Sequence, residues 1–528
     1  MPTFNLIHER WIPFLNDDGT SGQAGLKEVL CRAHQLRGIF DASPLVNVAL
    51  HRLLLALLHR NFGPKGLSEW KALWEGRRWN EAALTQYFDT WHDRFDLFHN
   101  ERPFFQVKKM PDARIHPVAR LQMEASVGNN ATLFDHHFDN RPDPLDPGTA
   151  ARYLLACQSF SIGFGKSTPF NFSDSTLTRG FTVLVVGRNL FETLALNLIR
   201  YNNESPLPHM GKDLPAWEHE GPPRPCKEGS APAGYLDYLT WQSRRVHLFP
   251  EPDGTIRRLQ IQQGLKLSRP QPLDPFKCYQ MRSLGGSTPL AINPEKALWR
   301  DSHALFQFQD DSNKRPEVFE WLAALEQGRR ANEIEASIKI HFFVTGLATK
   351  TGKSASVALW RQEHLPLPLA YLQEPELSSK LRECLSVADK AGELLHQAAR
   401  LLSRRCIAPT AGSEACPEDR EKDFDFLVAR LAVGRAFWPR LEFPFKRLLV
   451  ELPDDVENNE RGVLTYGKRV FPDWVGTVRR TALLAFTEAV SRLGLNTRAL
   501  VAVGAVEPFF RVRLFGELQP YRQEARNA

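Results

Sequence analysis

The stretch Leu365-Pro366-Leu367-Pro368 decides how the chain is read, because the character of the sequence changes across it. Downstream, Leu381, Leu385, Ala388, Leu395, Ala398 and Leu402 recur at helical spacing and make one apolar stripe. Phe426, Val428, Leu431, Val433 and Phe437 supply a second helix, and Trp474 to Leu493 a third. Thr497 to Leu514, interrupted by Pro508, gives a fourth. Four helices with Pro, Gly or acidic connectors predict a C-terminal four-helix bundle over 371–528.

Upstream, residues 1–370 read as a large, irregular mixed α/β domain, so the fold class is α+β. Phe4-Asn5-Leu6-Ile7 followed by Trp11-Ile12-Pro13-Phe14 predicts a strand, closed by the turn Asn16-Asp17-Asp18-Gly19. Leu45 to Leu58 is helical in period and follows the cap signal Ser43-Pro44. Val183–Val186 and Lys339–Val344 have strand length, the second ending at Thr345-Gly346. The Pro/Gly-rich stretches Arg141–Gly148 and Pro206–Gly234 predict long surface loops.

With 528 residues, 42% hydrophobic and 24% charged, the composition is that of a globular protein and excludes wholesale disorder. The longest apolar run, Leu53–Leu58, is too short to span a bilayer. Met1 to Arg10 carries no secretory signal pattern. Seven cysteines at irregular spacing, with no C-x-x-C pair, fit a reduced cytoplasmic protein. The formal charge of +6 permits a polyanionic partner without requiring one.

Three segments can carry chemistry. Gly346-Leu347-Ala348-Thr349-Lys350-Thr351-Gly352-Lys353-Ser354 resembles a phosphate-binding P-loop, but five residues separate its glycines where that motif has four. A nucleotide-binding ATPase is one reading of it. A hairpin tip with solvated lysines is another, and a basic, glycine-flexed finger against a nucleic-acid backbone is a third. Ser161-Ile162-Gly163-Phe164-Gly165-Lys166-Ser167-Thr168 has related chemistry, with glycines for close approach, one cation and two hydroxyls. In the third segment, which includes Leu133-Phe134-Asp135-His136-His137-Phe138-Asp139, two adjacent histidines raise a metal reading. Neighbouring strand residues point to opposite faces, so a loop with an exposed aromatic fits better. No nucleophile elbow or H-E-x-x-H helix is present, and neither a metal nor a cofactor is expected. The doublets Arg244-Arg245, Arg257-Arg258, Arg404-Arg405 and Arg479-Arg480 read by default as solvated faces.

Several segments together carry a family resemblance. Phe4-Asn5-Leu6-Ile7-His8-Glu9-Arg10-Trp11-Ile12-Pro13 opens the chain. Arg94-Phe95-Asp96-Leu97-Phe98-His99 and Arg102-Pro103-Phe104-Phe105-Gln106 follow. Next come Leu236-Asp237-Tyr238-Leu239-Thr240-Trp241-Gln242-Ser243-Arg244-Arg245 and Ala297-Leu298-Trp299-Arg300-Asp301-Ser302. In this order they resemble the CasA family, the large subunit of the type I-E CRISPR surveillance complex Cascade. The resemblance implies a non-catalytic subunit that recognises the protospacer-adjacent motif (PAM) in duplex DNA and nucleates duplex opening. It implies as partners the backbone, crRNA-handle-binding and small subunits, the crRNA 5′ handle and a helicase-nuclease, with no membrane. A purely structural scaffold subunit is the remaining alternative.

The same resemblance sorts the segments. Leu133, Phe134, Asp135 and His136 fall on the loop directed at the crRNA handle. Gly163, Phe164, Gly165 and Lys166 fall on the PAM-facing glycine loop. Lys350, Gly352, Lys353, Ser354 and Ala355 fall on the wedge that parts the first base pair. Some members carry Asn-Gln at the wedge and a further glycine where Lys166 stands. Their PAM-directed lysine has no clear equivalent, and Lys277 and Arg282 are the nearest cations, with Arg282 preferred.

Overall fold

The computed structural model describes all residues except 1, 111, 124–142, 164, 283–285, 294–295, 307–312, 331–339, 351–355, 408–419, 459–463, 495 and 528. The chain forms two compact units. The first comprises Met1–Leu298 and Phe308–Leu365, the second Trp299–Gln307 and Pro366–Ala528. Among the described residues no helix is long and apolar enough to cross a membrane.

The core of the first unit is organised by α1 (Pro44–Phe62). Ser43 caps it by accepting the Val46 N–H, and Pro44 occupies the first turn, where its missing N–H costs nothing. Every residue from Leu45 to His59 is buried, so this helix lies inside rather than on the surface. The one guanidinium on its buried face, Arg52, pairs with Asp274 at 2.9 Å, and Tyr238 donates its hydroxyl to the same carboxylate at 3.0 Å. Burial holds His59 neutral, its pKa pushed down to about 3.

Among the described residues, four small sheets lie in this unit. In the first, β1 (Ile12–Asn16) is flanked by β2 (Ser21–Ala24) and β3 (Leu36–Ile39). The strand begins at Ile12 rather than Phe4. Phe4–Ile7 is instead held by backbone bonds, Leu6 N–H to Phe95 and Leu97 N–H to Phe4, both 2.9 Å. A second sheet has β4 (Ile115–Pro117) and β6 (Arg244–Pro250) on either side of β7 (Ile256–Gln263). A third has β8 (Tyr279–Met281) between β9 (Ser287–Pro289) and β10 (Asn313–Lys314).

The sheet that matters for the site joins β5 (Phe181–Val186) to β11 (His341–Lys350), with β12 (Ser356–Pro366) on the far side. Its register runs from His341↔Val186 to Gly346↔Phe181. The strand therefore continues past Thr345-Gly346, where the sequence pattern ends it. Of the two expected surface loops, Pro147-Gly148 already open α2 (Pro147–Phe160), with Asp146 as cap. Pro206–Gly234 is pinned inward: Trp217 and Glu218 are buried, and Glu218 accepts from Arg60 at 2.8 Å and Tyr87 at 2.6 Å.

The second unit is the helical bundle. Its long helices are α3 (Pro375–Ile407), α5 (Val433–Glu451), α6 (Val470–Ser491) and α7 (Thr497–Asn527), and α4 (Glu421–Leu431) packs on α3. The single helix expected through Phe426 and Phe437 is thus two. Ala432, at φ 47°, breaks the helix between them, and Phe424 rather than the exposed Phe426 enters the core. Pro508 does not break α7. It sits on an exposed face with Gly504 one turn earlier, also exposed, so the carbonyl it leaves unbonded can meet water.

Trp299–Gln307 belongs to this unit by packing. The Trp299 ring lies 4.7 Å from Phe445, Arg300 pairs with Asp389 at 2.6 Å while stacking 3.4 Å over Trp438, and Phe306 stacks on Tyr371 at 5.2 Å. Ending the chain after residue 370 should therefore expose Trp299, Leu305 and Phe306. We expect such a truncated protein to bind a hydrophobic dye and precipitate on mild heating. A further Trp299→Ser, Phe306→Ser change should relieve this, read by dye fluorescence and light scattering.

Candidate nucleic-acid interface

The glycine loop leaves the end of α2. Ser161 closes that helix by donating its hydroxyl to Cys157 O at 2.7 Å. Gly163 then donates its N–H to Asp174 Oδ1 at 2.6 Å. A Cβ at Gly163 would meet the Asp174 nitrogen at 2.4 Å and the Ser173 carbonyl carbon at 2.6 Å, so only glycine fits between the two limbs of the loop. Gly165 serves differently. Nothing crowds it, but its φ of +101° is a conformation side chains avoid. Lys166 is exposed, and Phe164 lies outside the described residues.

The loop is held from beneath by a buried cation that the sequence reading leaves in solvent. Arg244 is 2% exposed. Its guanidinium donates to Ile162 O at 3.1 Å and Ser173 O at 2.8 Å, and it stacks 5.0 Å from Phe172. Burial pushes its pKa down to about 10. Gln263 completes the floor, accepting the Ser173 N–H at 2.7 Å and donating to the Ser173 hydroxyl at 2.9 Å.

Asp174 connects this loop to a second element. Its Oδ2 accepts Arg179 Nε at 2.6 Å, and Arg179 Nη1 donates to Thr349 Oγ1 at 2.8 Å. Thr349 and Lys350 are the last two residues of β11. The root of the glycine loop and the strand that leads into 351–355 are thus bonded side by side. Gly352, Lys353, Ser354 and Ala355 themselves lie outside the described residues, as do Leu133, Phe134, Asp135 and His136.

The P-loop reading is overturned. Gly346 is not in a loop but in mid-strand, and its missing Cβ makes room for Gly180 O, which would stand 2.8 Å away. Strand β12 begins at Ser356, so no helix follows to offer its N-terminus to a phosphate.

The two alternative cations separate. Lys277 is 3% exposed and donates to Thr176 O at 2.8 Å and Arg179 O at 2.7 Å, so the expectation of a DNA contact there gives way to a structural role. Both line one cavity of about 520 Å³ with Asp174, Arg179 and Arg269, and they differ in burial, since Arg282 is exposed. Arg269 and Arg179 were missed in the sequence. Arg269 stands beside Pro270 with nothing local to mark it, and Arg179 acquires its role only through Thr349, 170 positions away.

The chain thus joins a mixed α/β unit that carries a glycine loop to a helical unit. The profile of the family described as CRISPR-associated protein Cse1 matches residues 5–485, and the chain belongs to that family. It is 29% identical over 531 residues to the CRISPR-associated protein CasA/Cse1 of Thermus thermophilus, covering 98% of both. The crystal structure of the Thermus thermophilus CasA superimposes with a TM-score of 0.79 at 27% identity, over 97% of this chain and 99% of that one. Cse1 from Acidimicrobium ferrooxidans gives 0.79 at 25%, over 99% of each. A chain of a structure described as a CRISPR RNA-guided surveillance complex shares the fold, with a TM-score of 0.73 at 22% identity and coverage of 98% and 100%.

Two outcomes follow from this geometry. Asp174→Ala removes the acceptor of both Gly163 and Arg179, and should cost about 2–3 kcal/mol, the range for hydrogen bonds to a charged group. Urea unfolding measures it, and a loss below about 0.5 kcal/mol would show that the tie is not structural. Burial lowers the Lys277 pKa from 10.5 to about 8. Between those values the unfolded chain binds the extra proton, so this group's contribution to stability rises with pH. The stability of the wild type relative to Lys277→Met should therefore grow by about 2 kcal/mol from pH 8 to pH 10. A pH-independent difference would contradict it.

Proposed function

We propose that this protein is the non-catalytic large subunit of a type I-E CRISPR RNA-guided surveillance complex, reading the PAM in duplex DNA and starting its opening. The observation that carries the proposal is the Gly163–Asp174–Arg179–Thr349 chain of hydrogen bonds. It favours a glycine loop and a wedge at residues 350–355 acting at one place. The family relationship and the likeness to a surveillance-complex chain support the same reading.

The mechanism follows from groove chemistry. The minor groove distinguishes A·T from G·C but not their orientation. A reader made of the Gly163 and Gly165 backbone, Phe164, Lys166 and Arg282 accepts several sequences, which suits a protein that leaves target choice to RNA–DNA pairing. Unstacking one base step costs a few kcal/mol. Phosphate contacts from Lys350, Lys353 and Lys166, with Gly352, Ser354 and Ala355 permitting close approach, offset that cost. Because strand exchange is nearly balanced, a small opening at the PAM decides whether pairing begins. In this reading Leu133, Phe134, Asp135 and His136 face the crRNA 5′ handle and the neighbouring subunits. The bundle offers the helicase-nuclease its docking surface, supported by the exposed apolar side chains Val501, Phe509 and Val512 on α7.

The test uses the complex assembled with its partner subunits in a gel shift. Lys353→Ala should weaken binding of intact PAM duplex by about tenfold, the equivalent of 1.4 kcal/mol. It should affect a pre-opened bubble far less. Equal losses on both substrates would remove the wedge role, and binding without PAM dependence in the unaltered complex would leave only a scaffold.

A further inference from the structure

The sequence Arg94–Lys109, part of which carries the family resemblance, builds a second cleft in the first unit that the duplex-opening reading does not use. It encloses about 470 Å³, within the range of nucleotide-sized sites. Its lining brings five cations, Arg94, Arg102, Lys108, Lys109 and Arg245, against two carboxylates, Glu101 and Glu220. Among the described residues none of the five stands within ion-pair distance of a carboxylate.

Arg245 is the most informative of them. Half-buried, it makes only long bonds, Nη1 to Gln262 Oε1 at 3.3 Å and Nη2 to Lys109 O at 3.4 Å, and its buried Nε has no partner. Burial alone lowers its pKa, and burial together with the like charge of Arg102 lowers that of Arg94. Five cations against two carboxylates, with none of the five in an ion pair among the described residues, are the electrostatic signature of an anion site.

The floor is apolar and rigid. Phe105 and Trp217 line it with Pro103, and their ring centres are 6.3 Å apart. Trp217 is fixed by its Nε1 bond to Tyr87 at 2.7 Å. Phe105 sits at φ 53°, a conformation rare for an aromatic residue. The segment cannot relax out of it, because Val107 N–H bonds to Val246 O at 2.8 Å and Gln106 bridges Leu97 O at 2.7 Å and Leu248 N–H at 2.9 Å.

We infer that this cleft binds single-stranded nucleic acid, the Arg94, Arg102, Lys109 and Arg245 rim holding successive phosphates while one unstacked base enters the cleft against its apolar lining of Pro103, Phe105, Trp217 and Pro222. A cationic groove that tracks the backbone beside apolar side chains is an arrangement by which proteins hold single strands. The inference is independent of the PAM reading, since its ligand is a strand and not a duplex.

Fluorescence anisotropy of the full-length chain with short labelled thymidine and uridine oligonucleotides tests it. Arg102→Gln with Lys109→Gln, both exposed and safe for folding, should weaken binding by about tenfold. The same pair should reduce the salt slope by about 1.4, at about 0.7 per phosphate contact. Arg245→Gln should weaken it as well. A loss on only one oligonucleotide identifies the strand as DNA or RNA and supports the inference equally. Removing two charges near the helix Leu67–Gly76, with Lys65→Gln and Lys71→Gln, should cost little. The inference is overturned if the wild-type chain shows no measurable binding, if the Arg102/Lys109 pair leaves affinity unchanged, or if the control pair costs as much. Equal affinity for an abasic strand also overturns it.

Discussion

One carboxylate orders the candidate interface. Asp174 accepts the Gly163 amide on one oxygen and the Arg179 guanidinium on the other, and Arg179 passes the connection to Thr349 at the end of β11. Each bond is ordinary in isolation. Together they convert two segments 186 positions apart, by the spacing of Gly163 from Thr349, into neighbours with a shared root. Under the proposed function, a loop and a strand end free to separate could not grip a helix and open it in the same step. The buried Arg244 and Lys277 serve the same end from below, giving their charge to backbone carbonyls so that the exposed cations above them are displayed on a fixed frame.

Much of the fold was legible because it is written in local periodicity. The Ser43-Pro44 start and the helical recurrence of Leu45, Val48, Leu53 and Leu57 marked α1, and the stripe from Leu381 to Leu402 marked α3. The errors lie where a tertiary contact overrides the pattern. Phe4–Ile7 has strand composition but finds its partners in Phe95 and Leu97, which no local rule reveals. The continuous pattern from Phe426 to Phe437 hides the helix break at Ala432, a residue with no turn signature, and glycine would have announced it.

The site was legible in residue type and not in role. Glycine flanked by lysine marked both tips, yet Gly346 and Gly163 look alike in sequence and differ in function. One admits a neighbouring strand and the other accommodates the opposite limb of its own loop. Lys277 and Arg282 are five positions apart and equally basic, and burial alone separates a supporting cation from a displayed one. The pair Arg244-Arg245 divides in the same manner, since successive residues of β6 face opposite sides of the sheet.

The passage of Trp299–Gln307 into the bundle unit has a consequence for how the molecule is made. A ribosome delivers that segment before Tyr371, Trp438 and Phe445 exist, so an indole and a phenyl ring must wait without their eventual neighbours. The N-terminal unit is itself incomplete at that moment, because β11 and β12 are still to come. Neither half can finish before the other has begun, and chaperone demand during translation should peak across this interval.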